Sequence, residues 1–183
     1  MARRIAYIGE PVLTLDQVAH QCRLEPEDLQ PELIEEIIIP GVTGQAESRS
    51  GAAIRMAEYE DEWPEHYGSG HALDQGQARE VISISRIYPD GTEEALTVAH
   101  HLRVRQRESF LYFPEGRPPG DLLIRYRAGL DLEQYPAVRS WLLMHAATAF
   151  EGRETLVIGT ILTELPGSIL DTLLAEITVP PRF

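Results

Sequence analysis

The stretch from Val81 to Thr92 restricts the possible folds more than any other part of the chain. Val81-Ile82-Ser83-Ile84-Ser85-Arg86-Ile87-Tyr88 alternates with the two-residue period of a strand and runs directly into Pro89-Asp90-Gly91-Thr92, a strong turn signal. Segments of similar character surround it. Ala52 to Trp63, Leu96 to Val104, Ser109 to Phe113 and Leu122 to Tyr126 all read as strands. A Gly-rich loop from Gly68 to Gly76, then Pro114, Gly116 and Pro118-Pro119-Gly120, punctuate them. This spacing predicts a small antiparallel sheet between about residues 52 and 127.

Helical patterning flanks the sheet on both sides. Thr14-Leu15-Asp16-Gln17 has the form of a capping box, in which Thr14 caps the backbone and Gln17 reaches back. It predicts a helix over about 14–24, with Leu15, Val18, Ala19 and Cys22 on one face. After the turn Glu25-Pro26-Glu27-Asp28, a second helix is expected over about 29–50, presenting Leu33, Ile34, Ile37 and Ile38 inward. Pro40-Gly41 falls inside it. An interior proline loses a backbone hydrogen bond and clashes with the preceding turn at a cost of about 3 kcal/mol, so a kink or a break is expected there, with Gly51 ending the helix. A third helix is predicted over about 133–151, with Pro136 in its first turn and Val138, Trp141, Leu142, His145 and Ala149 lining one face. Leu156 to Thr163 reads as a strand or an extended segment, and a short helix carrying Ile169, Leu170, Leu173 and Leu174 should follow Leu165-Pro166-Gly167. The fold class is therefore α+β: a helical body, a small antiparallel sheet or hairpin insertion, and an extended arm. Residues 1–155 would form the main domain and residues 156–183 an extension.

Charge narrows the function. The 183-residue chain carries a net charge of −13, and its sixteen basic residues are all arginine. Without lysine there is no Walker-type phosphate loop and no Schiff-base amine. A strongly negative surface also disfavours stable binding to a phosphate backbone, which depends on neutralising cations. The lone Cys22 cannot form an intramolecular disulfide and suits a reducing cytoplasm. The opening residues show no signal peptide, and no apolar run reaches the ~20 residues that span a bilayer.

The chain offers little catalytic chemistry. His66 and His71 lie five apart in a loop, while neighbours such as His100 and His101 on a strand point to opposite faces. No HExxH, paired-Cys or GxGxxG motif accompanies them. His145 and Cys22 read as residues of apolar faces. No catalytic residue, metal ligand or cofactor is expected. A small cytosolic metal-dependent hydrolase using His66, His71 or His145 is the competing reading from a different class.

Two other clusters stand out. Glu58, Glu60, Asp61, Glu62 and Glu65 form the densest acidic run, either a solvated strand face or a patch that pairs with a basic partner or repels a passing polyanion. Ile177-Thr178-Val179 has high β propensity and is stopped by Pro180-Pro181 before Arg182 and Phe183. It is either a frayed end or a strand donated to another molecule's sheet, with Phe183 as its anchor.

The order of several motifs resembles the head–tail connector (adaptor) proteins of long-tailed phages, prophages and gene transfer agents. These are Tyr126-Arg127-Ala128-Gly129-Leu130 with the helix from Pro136 to Gly152, the opening EPVLTLDQVAHQCRLEPED, the hairpin Tyr88-Pro89-Asp90-Gly91, and ELPGSILDTLLAEITVPPRF. The resemblance covers roughly residues 12–183. It departs from the family at Pro40-Gly41 and at Arg49-Ser50-Gly51-Ala52, where the family commonly has Thr-Gly-Arg. It implies a virion protein, assembled in the host cytoplasm as a homo-oligomeric ring, typically of twelve subunits. The ring would dock on the portal protein, extend the DNA channel without specific DNA binding, and offer a platform to head-closure or tail proteins. Ile177, Thr178, Val179, Pro180, Pro181, Arg182 and Phe183 would be the portal-binding arm, and the acidic cluster would line the lumen. A head-closure or tail-completion protein is the alternative within this class.

Overall fold

The computed structural model describes residues 2–152 and 172–180. Its chain divides into two compact units that interleave in sequence. The β unit holds the described residues within 1–10, 51–130 and 177–183, and the helical unit those within 11–50 and 131–176. The expected boundary near residue 155 lies outside the described residues, of which 172–176 fall in the helical unit and 177–180 in the β unit. The expectations for Leu156–Thr163 and for the segment up to Leu170 lie outside the described residues.

Among the described residues the β unit contains eight strands in two antiparallel sheets. Strands β1 (Arg3–Tyr7), β2 (Ala57–Trp63), β4 (Ala78–Ile87), β5 (Glu93–Leu96) and β8 (Asp121–Ala128) form a five-stranded sheet in the order β1-β2-β8-β4-β5. Strands β3 (His71–Ala72), β7 (Ser109–Tyr112) and β6 (His101–Val104) form the second, in the order β3-β7-β6. The predicted strand from Leu96 to Val104 is therefore split, with its two ends serving different sheets. The predicted hairpin is present: Gly91 at φ +82 and the Asp90 carboxylate, which accepts the Thr92 amide at 3.0 Å, close the turn between β4 and β5.

Central strand β8 pairs with β2 in unbroken register from Ala57↔Ala128 to Trp63↔Leu122. Alternation then sorts the side chains. Ala57, Tyr59, Asp61 and Trp63 point inward and are buried, as are Leu122, Ile124, Tyr126 and Ala128 opposite. Leu111 and Phe113 from the second sheet's side complete one apolar core. Tyr59 and Tyr126, directly paired across the strands, stack at 5.9 Å. A buried aromatic pair of this kind contributes ~0.5–1.5 kcal/mol beyond its area.

The helical unit opens with α1 (Leu15–Cys22), whose capping box forms as expected: the Thr14 hydroxyl accepts the Gln17 amide and the Gln17 side chain accepts the Thr14 amide. The second helix neither breaks at Pro40 nor ends before it. Residues 31–50 are continuously helical, with a π-helical stretch Leu33–Ile38 followed by α2 (Ile39–Ser50). The wider i→i+5 turn lies immediately N-terminal to the proline, where an α-helical carbonyl would clash with its ring. Gly51, at φ +68, ends the helix. The π turn also rotates the predicted apolar face. Ile34 and Ile38 are buried, whereas Ile37 is 64% exposed. Helix α3 (Pro136–Gly152) buries Val138, Trp141, Leu142, Ala146 and Phe150, while Ala149, expected on that face, is exposed. Thr172–Leu174 forms a short 3₁₀ turn packed on α3, with Leu174 buried.

Candidate functional site

The five carboxylates of the acidic run are separated rather than gathered. Strand alternation sends Asp61 into the core, where it is 2% exposed, while Glu58 and Glu60 lie on the opposite face of β2 and Glu62 and Glu65 are exposed. Direct cross-strand pairing places Glu58 beside Arg127 and Glu60 beside Arg125. Arg127 bridges Glu58 at 3.0 Å and Glu80 at 3.2 Å, while Arg125 holds Glu93 in a bidentate pair at 2.9 and 3.0 Å and reaches Glu60 at 3.5 Å. Arg3 on the edge strand also pairs with Glu60. The outer face of the sheet is therefore a ladder of alternating charge running from Arg3 through Glu60 and Arg125 to Glu93. Each opposed pair favours this strand order, modestly, because the groups are partly solvated. The sequence shows the acidic half of this ladder as a run. Its basic half comes from residues far away in the sequence, 57 positions for Arg3 and Glu60 and 69 for Arg127 and Glu58.

Asp61 has a different role. Its carboxylate accepts the Asp74 amide at 2.9 Å and lies 3.4 Å from the Trp63 indole nitrogen. It thereby ties the Gly-rich loop to the sheet. Burial pushes its pKa from the usual 3.8 to about 6, the Asp74 amide opposing that rise and the nearby Asp74 charge adding to it. Tyr126 has its hydroxyl above the same loop, accepting the Gln75 amide at 3.2 Å, and burial pushes its phenol well above the usual value. The odd-numbered alternation Tyr59, Asp61, Trp63 was the signal that Asp61 turns inward.

Four of the six histidines are taken up in ring contacts. Tyr67 stacks on His71 at 3.8 Å and meets His66 edge-on at 4.8 Å, while His71 lies edge-on to Trp63 at 5.3 Å. His101 stacks on Tyr112 and His145 on Trp141, at 5.0 and 3.6 Å. His66 and His71 belong to the β unit and His145 to the helical unit. Among the described residues no group of three or more His, Cys, Asp or Glu could hold a metal ion. No described helix is long and apolar enough to cross a membrane.

The residues expected to form an arm begin inside the fold. Ile177 is completely buried, and Thr178 and Val179 are half-buried against the β unit without forming a strand. Val179 packs where two glycines leave space: a Cβ on Gly51 would stand 3.3 Å from Val179 Cβ, and one on Gly76 3.2 Å from its Cγ2. Pro180 is exposed, and Pro181, Arg182 and Phe183 lie outside the described residues.

No protein-family model matches the chain, and no curated protein matches it. Solved structures do. The fold is similar to a chain from the virion of a native gene transfer agent (GTA) particle, with a TM-score of 0.74 and 14% identity over 100% of this chain and 97% of that one. A chain from the neck of an empty GTA particle, computed with C6 symmetry, gives a TM-score of 0.75 at 12% identity over 100% of this chain and 97% of that one. A chain from the neck of a native GTA particle, computed with C12 symmetry, gives 0.63 at 12% identity over 96% and 97%. At these identities the likeness is one of fold.

Proposed function

We propose that this chain is a structural subunit of the head–tail neck of a phage-like particle, an adaptor that assembles as a ring against the portal and continues the DNA channel. The observation that carries the reading is the end-to-end fold likeness to GTA virion and neck chains, since nearly the whole of each chain is covered. The neck neighbours were computed with sixfold and twelvefold symmetry, as a closed ring of identical subunits requires. The absence of lysine-based chemistry and the ring-stacked histidines fit a structural role.

The portal-binding arm is refined by the packing of Ile177. This residue is buried and Pro180 is exposed, so we assign the portal contact to Pro180 and the residues after it. Of the acidic cluster, Glu62 and Glu65 are the exposed members, and a lumen-lining role falls to them. Glu58 and Glu60 are neutralised by their arginines.

Co-purification with a portal protein tests the reading. The full chain should be retained, and a chain lacking residues 180–183, which keeps Ile177 and its fold, should be lost from the portal. Equal retention of both would dismiss the arm. Failure of the full chain to bind any portal-bearing particle would dismiss the adaptor role.

A further inference from the structure

Among the described residues, two exposed surfaces are unsatisfied and complementary. The first is the end of β6 and the turn that joins it to β7. Arg103, Arg105 and Arg107 are all exposed there around Val104, which is 49% exposed. None of the three arginines is ion-paired among the described residues, and Arg105 extends over the Phe110 ring at 5.4 Å. The tip is held firmly. Gln77, at φ +64, donates from its side chain to the Gln106 carbonyl, and the Arg107 carbonyl lies against Gly76. In a chain of charge −13, a rigid tip of three arginines around an apolar residue is an exception.

The second surface is the exposed face of the π/α2 helix. Ile37, 64% exposed, begins a strip that continues with Gly41, Gly44 and Ser48 at helical spacing. A Cβ at Gly41 or Gly44 would meet nothing within 4 Å. An interior helix glycine is destabilising relative to alanine, and among the described residues nothing fills the space they leave. Glu32, Glu35 and Glu36 flank the strip at its N-terminal end, exposed and not ion-paired among the described residues.

We propose that the arginine tip of one copy docks on the Ile37–Gly41–Gly44 face of the next copy, with Arg103, Arg105 and Arg107 meeting Glu32, Glu35 and Glu36, and Val104 meeting Ile37. This contact rests on the ring reading above and identifies its faces. Because tip and face are different surfaces of one chain, the contact is heterologous and propagates head to tail, as a ring requires. The glycines let the partner's turn approach the helix backbone closely. The matched charges favour the second copy over DNA as the occupant of the tip, since DNA offers nothing for the acidic helix face.

Charge exchange tests this on the full chain, with self-association followed by sedimentation velocity at low salt. Reversing the tip (Arg103→Glu, Arg105→Glu, Arg107→Glu) or the face (Glu32→Arg, Glu35→Arg, Glu36→Arg) should each weaken association at least tenfold. Mixing the two variants, or combining both reversals in one chain, should restore it. Gly41→Leu should block association while leaving the monomer's melting temperature equal or higher, which separates docking from folding. With Cys22→Ser, the pair Val104→Cys and Ile37→Cys should yield intermolecular disulfide ladders under mild oxidation. Association unmoved by both reversals, or no ladder from the cysteine pair, overturns the proposal. So does a tip reversal that abolishes duplex-DNA retention but leaves association intact. A chain that binds the portal yet ignores the charge exchange retains the adaptor role and loses this interface. A chain that obeys the exchange yet never joins a particle does the reverse.

Discussion

Val179 packs over Gly76: a side chain at position 76 would place its Cβ 3.2 Å from Val179 Cγ2 and 2.5 Å from the Arg107 carbonyl oxygen. The same glycine therefore makes room for the end of the described chain and for the arginine-bearing turn. Gly76→Ala should destabilise the β unit by about 1–3 kcal/mol, because the backbone carbonyl cannot yield as a side chain could. Val179→Ala, at a half-buried position, should cost about 1 kcal/mol, and Ile177→Ala, fully buried, about 2–5 kcal/mol. Urea denaturation of the three variants checks the order. Identical stability of Ile177→Ala and the parent chain would mean that this segment is frayed.

The buried carboxyl of Asp61 should make stability depend on pH. Its folded-state pKa, about 6, lies above the unfolded value of 3.8. Between these values the folded chain holds a proton that the unfolded chain has released, so stability falls as pH rises through the window. The loss is complete above about pH 6 and amounts to about 3 kcal/mol. Asp61→Asn offers the same acceptor to the Asp74 amide without ionising. It should be more stable than the parent at pH 8 and indistinguishable from it near pH 3.5. Thermal melts at the two pH values give the comparison.

The capping box at α1 carries a simple expectation. Thr14→Ala removes the acceptor for the Gln17 amide, leaves the helix start unsatisfied, and should cost about 1 kcal/mol. Thr14→Ser should restore most of it. Chemical denaturation of the three chains measures both.

Gly41→Ala and Gly44→Ala should act in the opposite direction. Each site is open among the described residues, each sits inside α2, and each alanine should add about 0.5–1 kcal/mol to stability. Loss of stability in either would reveal a close contact at that face.

The parts of the fold that could be read from the residues were those with local causes. Thr14 and Gln17 announce their helix because capping is a three-residue interaction, and Asp90-Gly91 announces the β4–β5 turn because only its own backbone is involved. Strand β1 has no such local cause. Four of its five residues are exposed, so it shows no alternation, and it exists because Arg3 and Arg4 find Glu60 and Tyr59 across the sheet. Pro40 reads as an interruption in the sequence because a π turn, which accommodates the proline, has no residue signature. The outward position of Ile37 follows from the same turn. At the acidic run, composition suggested one patch where strand alternation builds two faces. The arginines that neutralise one of them are brought in by pairing with β8, a long-range event that spacing cannot reveal.

Imaging of tailless, DNA-filled particles after incubation with the purified chain tests the central claim most directly. The account predicts added ring density at the portal vertex, with the symmetry of a closed homo-oligomer and dimensions that fit this fold. A portal vertex left unchanged by saturating amounts of the chain would contradict it.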